Sequence, residues 1–258
     1  MMKKLITFLI LFALLAFTAC DLETPEQPQL NISSKQLALS KVVFIGNSLT
    51  AGFQSAGLVK DLQKNSFPYL IAQQMGNAHE FQMPLIDDPG ISIMPGAGVL
   101  SFNPSTGEIA PRGNYTNPTA LLLNATLPRP YDNLGIPGAT LKQALDAATG
   151  VQADTNSFFD LILRNPNFAN MTMVEQAQVL NPTFVIVWLG NNDVLGAAVS
   201  GGDLTQITPA QDFQADYGRL LQELAKIREG NVGIILANIP NVTDIPYVNL
   251  LDDLVYKT

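Results

Sequence analysis

Histidine and cysteine, two side chains on which metal sites and acid–base chemistry often depend, each occur only once in the 258 residues. A single cysteine cannot form a disulfide within the chain, and it leaves a cysteine-based metal site without enough ligands. The glycine patterns GxGxxG and GxxxxGK(S/T), which bind dinucleotides and nucleotide phosphates, are also missing from the sequence. The sequence therefore predicts a protein that uses neither a metal nor an organic cofactor.

Basic residues are scarce as well. The chain has 14 lysines and arginines against 22 aspartates and glutamates, which gives a net charge of −8. Binding to phosphate backbones needs clustered basic side chains, and the one cluster is Lys3-Lys4. A nucleic-acid partner is therefore excluded, whereas the hydrophobic content of 47% is sufficient for a large core.

No hydrophobic run reaches the ~20 residues that an ordinary membrane-spanning helix needs. The longest, Leu5 to Phe17, follows two lysines and precedes small residues, which is typical of a secretory signal. The sequence Phe-Thr-Ala-Cys ending at Cys20 resembles the lipobox of bacterial lipoproteins, which implies removal of residues 1–19 and acylation of Cys20. The alternative is an unmodified Cys20 that leaves with the signal peptide. Residues 20–40 are polar and are predicted to tether the protein to a membrane of the bacterial cell envelope.

From Lys41 onward, segments typical of strands alternate with segments typical of helices. Two capping boxes, Thr140 with Gln143 and Thr172 with Glu175, mark helix starts. Strands separated by helices pair in parallel through right-handed crossovers, so we predict an α/β fold, a three-layer sandwich with a central parallel sheet. The predicted strands are 42–45, 131–136, 183–189 and 232–237, and the predicted helices are 67–75, 141–148, 172–181 and 208–227.

Some of these segments carry more detailed expectations. The apolar runs Thr183–Leu189 and Val232–Ala237 are expected to be strands buried on both faces. Thr208 is expected to start the last helix. The apolar stripe of that helix consists of Phe213, Tyr217, Leu220, Leu221, Leu224 and Ile227.

Two long segments, 77–130 and 150–170, interrupt the alternation and are rich in proline, glycine, asparagine or threonine. Segments of this length between regular elements are usually functional or elaborated insertions. We expect both to lie near the edge of the sheet to which the first strand leads. The predicted domain is 41–258 with these two insertions.

Three short motifs fall where predicted strands end, which in open parallel sheets is where ligands bind. The first is Gly-Asn-Ser-Leu (46–49), the second is Asn-Leu-Gly-Ile-Pro-Gly-Ala-Thr (133–140), and the third is Gly-Asn-Asn-Asp (190–193). Taken singly, each motif fits a structural role better than a functional one: a glycine permits a tight turn, and a serine or asparagine caps a helix or forms a turn. Their order and placement together favour one functional site.

Taken together, the motifs resemble the blocks of the SGNH, or GDSL, hydrolases over residues 42 to about 246. The first motif resembles the GDSL block, the second the glycine block and the third the GxND block. The resemblance implies a flavodoxin-like fold and a serine esterase or lipase acting on small-molecule, lipid or glycan acyl esters. It implies that Ser48 is the nucleophile and that the Ser48 N–H, the Gly138 N–H and the Asn192 amide form the oxyanion hole. Asn47 stands where the family has aspartate, and Asp193 is interpreted as a brace for the turn that holds Asn192.

The family's base lies in a C-terminal Asp-x-x-His block, which this sequence lacks. Three explanations are open: a domain that is incomplete at its C-terminal end, recruitment of His79 from the first insertion, or a protein that binds without cleaving. The main prediction is an esterase that is inactive or nearly so without such a base. The alternative is a non-catalytic surface lipoprotein that binds glycans or lipids. The acidic pairs 87–88 and 252–253 are interpreted as solvated loop charges rather than cation ligands.

Overall fold

The computed structural model of the chain describes residues 39–244, and its regular elements follow the predicted alternation of strands and helices. The strands of this part are β1 (Val42–Gly46), β2 (Gly57–Leu58), β3 (Ile91–Ser92), β4 (Leu100–Phe102), β5 (Ile109–Pro111), β6 (Asn133–Gly135), β7 (Phe184–Trp188) and β8 (Gly233–Leu236). Its α-helices are α1 (Ser48–Ala51), α2 (Lys60–Gln63), α3 (Phe67–Gln74), α4 (Leu141–Asp146), α5 (Phe158–Leu163), α6 (Met173–Val179), α7 (Asn192–Val199) and α8 (Ala210–Ala225).

Four of the strands form a parallel sheet in the order β6-β1-β7-β8. The chain first adds β6 on one side of β1 and then crosses to add β7 on the other side. The strand order therefore reverses at β1, and the crevice at such a reversal is where doubly wound sheets bind ligands. The predicted α/β fold with a central parallel sheet is confirmed.

One face of this sheet carries the main core. Val43 and Ile45 of β1 and Val185 and Val187 of β7 are fully buried on this face, because residues two apart on a strand point to the same side. Helices α4, α6 and α8 cover them, and their apolar residues belong to the same core cluster.

The opposite face is covered less completely. Phe67 of α3 lies edge-on against Phe44 and Trp188, with ring centroids 5.8 and 5.4 Å apart. Further along this face, Ile186 is only partly buried and Ile235 of β8 is 48% exposed. The prediction that both apolar runs are buried on both faces is therefore wrong. Helix α3 covers only β1 and the end of β7, and β8 is an edge strand of the described sheet.

Local signals located the helix starts well. The capping boxes Thr140–Gln143 and Thr172–Glu175 are both formed, each with its reciprocal pair of hydrogen bonds. The start of α8 differs from the prediction, because the hydroxyl of Thr208 bonds another segment and makes no cap. The predicted stripe of α8 is confirmed at Leu220 and Leu224, which are fully buried, and is wrong at Leu221, which is exposed.

The two insertions contain little regular structure. The first contains the antiparallel β4–β5 ribbon, the strand β3, which pairs with β2 from before the insertion, and a short 3₁₀ helix at Pro118–Leu121. Part of it lies at the amino ends of the strands, since the Gln82 backbone N–H donates to Asp132 near the start of β6. The expectation that the whole first insertion lies near the carboxyl ends of the strands is therefore only partly right.

The predicted signal peptide, Cys20, most of the tether and the acidic pair 252–253 lie outside the described residues. Within residues 39–244, no helix is long and apolar enough to cross a membrane. The same residues contain no group of three or more histidine, cysteine, aspartate or glutamate side chains arranged to hold a metal ion.

Replacing Gly135 by alanine should lower the free energy of unfolding by roughly 1–3 kcal/mol, the range for overpacking a tightly packed site. A β-carbon on Gly135 would lie 2.4 Å from the Ala51 nitrogen and 2.7 Å from the Thr50 carbonyl carbon, which are backbone atoms of α1. Urea unfolding measures the change.

Gly218→Ala is the matched control. Gly218 lies inside α8 with open space around its α-carbon, so alanine should stabilise the protein by about 0.5–1 kcal/mol. A Gly135→Ala variant as stable as the parent would contradict the close packing of α1 against β6.

Candidate active site

The strand register brings the three motifs to one level at the carboxyl edge of the sheet. Gly46, the last residue of β1, pairs with Gly135, the last of β6, and with Trp188, the last of β7. The Ile136 N–H continues this pairing by donating to the Gly46 carbonyl at 3.0 Å. Ser48, Gly138 and Asn192 follow these strand ends by two, three and four residues. The sequence prediction that the motifs share one edge of the sheet is therefore correct.

Ser48 is the first residue of α1 and is half-buried. The side chain of Asn47 caps this helix by accepting from the Leu49 N–H at 3.2 Å. The helix ends at Gly52, whose left-handed conformation (φ 78°) lets its N–H bond back to the Ser48 carbonyl. One short turn between two fixed ends thus determines where Ser48 lies.

Glycines and an asparagine allow α1 to lie directly on the ends of β1 and β6. A β-carbon on Gly46 would fall 1.9 Å from the Thr50 hydroxyl, so only glycine fits there. The Asn133 amide donates to the Thr50 carbonyl at 2.8 Å and its oxygen accepts from the Gly135 N–H at 2.9 Å. Asn133 is fully buried, and this pair of bonds joins the second motif to the helix that carries Ser48.

The first and third motifs are joined by two neutral amides. The Asn47 side-chain nitrogen donates to the Asn191 side-chain oxygen at 3.3 Å, and both residues are buried. An ionised aspartate at position 47 has no donor and could not make this bond. The replacement of the family's aspartate by Asn47 therefore alters the hydrogen bonding of the turn, as the sequence suggested.

Gly138 is exposed and left-handed, with φ 80°, a conformation that strains other residues. One side of it is occupied, since an added β-carbon would lie 3.0 Å from the side-chain nitrogen of Asn156. That nitrogen donates to the carbonyl of Pro137 at 2.8 Å. The peptide that carries the Gly138 N–H is therefore held through its own carbonyl oxygen.

Asn192 joins the third motif to the second. Its amide donates to the Ala139 carbonyl at 2.8 Å, one residue beyond Gly138. A side-chain amide nitrogen carries two hydrogens, and this bond uses one of them. The bond ties the start of α7 to the residue after Gly138 and leaves the second hydrogen of the amide for another acceptor.

Comparison with known proteins agrees with this geometry. The model of the GDSL-like lipase/acylhydrolase family matches residues 42–255. The chain belongs to the GDSL-like lipase/acylhydrolase family. No curated protein and no solved structure matches the chain.

Asp193, the acidic residue of the third motif in this GDSL-like chain, is bonded to the start of α4 and to the segment before α8. Its carboxylate accepts from the Leu141 N–H and from the Thr208 hydroxyl, both at 3.0 Å. It is 2% exposed, and burial raises its pKa above the ordinary aspartate value, an effect that these two hydrogen bonds only partly offset. Asp193 thus fixes the start of α7, and with it Asn192, against α4.

His79 lies far from this edge. It is exposed, and its ring nitrogen is 3.6 Å from the carboxylate of Glu80. Its neighbours Asn77 and Glu80 line a pocket together with Lys41 and Asp132, at the edge where β1 and β6 begin. Ser48 follows the end of β1, so His79 and Ser48 lie at opposite ends of the strands.

The acidic pair of the first insertion is paired with cations. Asp87 accepts from Lys60 at 2.7 Å, and Asp88 lies 3.5 Å from Arg112. These contacts agree with the interpretation of the pair as loop charges.

Sequence reasoning missed three of the residues that position the site: Asn133, Asn156 and Asn191. Asn133 and Asn191 stand inside the recognised motifs, and a polar residue next to a strand end was the available signal. Asn156 had no such signal, because it approaches Gly138 from the second insertion, 18 residues further along the chain.

Replacing Asp193 by asparagine should make stability less dependent on pH. A raised pKa means that the folded state binds the proton more tightly than the unfolded state, so the parent loses stability as pH rises through this range. Asparagine keeps an acceptor for Leu141 and a donor for Thr208 but does not titrate. The stability of Asp193→Asn relative to the parent should therefore rise between about pH 4 and about pH 7.

Urea unfolding across that range measures the difference, with Asp212→Asn as control because Asp212 is exposed at the start of α8. A stability difference that stays constant or falls with pH would refute the assignment of a raised pKa.

Proposed function

We propose that this protein is a serine esterase or lipase in which Ser48 attacks the carbonyl carbon of an acyl ester. One observation carries the proposal: the three motif loops leave neighbouring strands at one level and are hydrogen-bonded to each other. The bonds Asn47–Asn191 and Asn192–Ala139 and the pairing of Gly46 with Gly135 hold Ser48, Gly138 and Asn192 at this edge. Family membership supports acyl-ester hydrolysis as the reaction class.

In the proposed reaction, the Ser48 oxygen forms a bond to the ester carbonyl carbon while its proton passes to a base. The carbonyl oxygen becomes negatively charged, and the tetrahedral intermediate collapses with release of the alcohol, which takes up a proton. Water then attacks the acyl-serine in the same way and releases the carboxylic acid. Covalent catalysis of this kind divides one difficult displacement into two easier ones.

The transient oxyanion is stabilised by donors that are already oriented before the substrate binds. We assign this role to the N–H of Ser48, the N–H of Gly138 and the second hydrogen of the Asn192 amide. All three are uncharged, and Asn47 keeps the nearest capping side chain uncharged as well. The one buried acid of the third motif, Asp193, has its oxygens engaged by Leu141 and Thr208.

A serine hydroxyl is a weak nucleophile without a base. The single histidine of the sequence, His79, lies at the opposite edge of the sheet, beside Glu80. Recruitment of His79 is therefore not part of the proposal. The contribution that we assign to residues 39–244 is the nucleophile and the oxyanion hole.

The placement of His79 also favours a second candidate, a surface lipoprotein that binds glycans or lipids at this edge without cleaving them. The same loops and glycines would then form a binding surface. The two candidates differ in whether the Ser48 hydroxyl reacts.

Ser48→Ala should abolish labelling by a fluorophosphonate probe and hydrolysis of a short-chain p-nitrophenyl ester, because the attacking oxygen is removed. Asn192→Ala should reduce kcat by about 10²–10³ while the protein stays folded, since one oxyanion donor is lost. Ser200→Ala, at the exposed C-terminal end of α7, serves as the control and should match the parent.

Labelling that persists in Ser48→Ala would eliminate Ser48 as the nucleophile. A folded parent protein that is neither labelled nor active would favour the non-catalytic candidate instead.

We further propose that Cys20 is acylated and anchors the protein in a membrane of the bacterial cell envelope. In a bacterial host, the parent should fractionate with membranes and incorporate radiolabelled palmitate. Cys20→Ala should lose the label and move to the soluble fraction, because the lipid is its anchor. A variant that stays in the membrane fraction would argue against the lipid anchor.

A further inference from the structure

A cleft lies between the two insertions. Its outer compartment, of about 460 Å³, and its inner compartment, of about 480 Å³, share four lining residues, Tyr115, Pro118, Ser157 and Phe158. We call the two compartments together the insertion cleft. Asn156 lines the outer compartment and is also the residue that contacts the Gly138 loop. Asn156 therefore connects the wall of the cleft with the loop that carries the predicted oxyanion donor.

Asn156 is itself held firmly. Its backbone N–H donates to the Ala153 carbonyl at 3.0 Å, and its carbonyl accepts from the Phe159 N–H at 3.1 Å. Its side-chain oxygen accepts from the Phe158 N–H at 3.1 Å, which fixes the amide plane. Phe158 and Phe159 are buried in the main core, so the second insertion is tied to the fold at this point. The side-chain nitrogen is therefore presented to the Pro137 carbonyl from a fixed position.

The bond from Asn156 to the Pro137 carbonyl restrains the Gly138 N–H, the predicted oxyanion donor. The Pro137 carbonyl and the Gly138 N–H belong to one planar peptide unit, so fixing the oxygen fixes the direction of the N–H. Gly138 has no side chain to restrain it, and its left-handed conformation is one that glycine leaves easily. Within the second motif, the Ala139 N–H donates to Ile136, while the Pro137 carbonyl is taken by Asn156.

We infer that Asn156 is a positioning residue: it orients the Gly138 N–H for the oxyanion through its bond to the Pro137 carbonyl. The inference rests on the proposed esterase function. Oxyanion donors are effective only when they are fixed in advance, and a shift of about 1 Å at a reacting centre can cost 10²-fold in rate. Asn156 supplies that fixation from the second insertion, outside the three motifs.

Two substitutions separate the possible roles of Asn156. Asn156→Ala removes both side-chain bonds. Asn156→Asp keeps the acceptor for the Phe158 N–H but lacks the donor to the Pro137 carbonyl. Asn103→Ala is the matched control, because the Asn103 oxygen likewise accepts from a backbone N–H two residues on, that of Ser105, and Asn103 lies in the exposed end of the β4–β5 ribbon.

The first measurement is steady-state hydrolysis of p-nitrophenyl acetate and of a bulkier ester by the full chain. Asn156→Ala and Asn156→Asp should each lower kcat by about tenfold or more for both esters, because the misplaced donor acts on the oxyanion that every ester forms. Asn103→Ala should keep the parent's kcat. A loss confined to KM for the bulky ester, or an Asn156→Asp variant with the parent's kcat, would overturn the positioning role.

The second measurement does not depend on activity. In protein labelled with ¹⁵N-glycine, the heteronuclear NOE of the Gly138 amide reports how rigid that N–H is. It should fall in both Asn156 variants and stay at the parent value in Asn103→Ala. An unchanged value in the Asn156 variants would refute the inference. If the parent shows no hydrolysis while this NOE still falls in the variants, the proposed esterase function fails and the role of Asn156 in fixing the loop stands.

Discussion

The register of β1 against its two neighbours is the constraint on which the site depends. Because Gly46 is level with both Gly135 and Trp188, the three loops start side by side at one edge of the sheet. A slip of one residue would move a strand by roughly 3.3 Å and turn its side chains to the other face. It would turn Phe44 toward α4 and α6 and move Val43 to the face covered by α3, so the packing of both faces of β1 enforces the alignment of the site.

Neutral amide bonds then connect the loops that the register has aligned. Each of them joins segments far apart in sequence, and none brings a charge to the side of the site where an oxyanion would form. Uncharged donors suit such a place, since an unpaired buried charge is costly and a nearby carboxylate would repel the anion. The asparagines concerned are Asn47, Asn133, Asn156, Asn191 and Asn192.

Two wrong predictions have the same physical origin. Thr208 precedes a helix, and threonine often caps helices. Its hydroxyl instead donates to Asp193, a partner that only the tertiary fold brings near. The run Thr183–Leu189 has the composition of a strand buried on both sides, but Ile186 is only partly buried because the cover from α3 ends near Phe44 and Trp188. In both cases the same local sequence is compatible with more than one tertiary environment: a threonine hydroxyl can bond its own helix or another segment, and an apolar strand can be buried on one face or on both.

The sequence by itself determined the parallel α/β fold, both capping boxes and the meeting of the three motifs at one end of the sheet, because these depend on local periodicity and on where strands end. Only the tertiary structure decided that His79 lies at the opposite edge and that Asn156 reaches the Gly138 loop. Both residues belong to irregular insertions whose paths follow from packing and from long-range hydrogen bonds. Such contacts leave no periodic trace in the sequence, and for that reason the spatial position of these two residues could not be predicted from it.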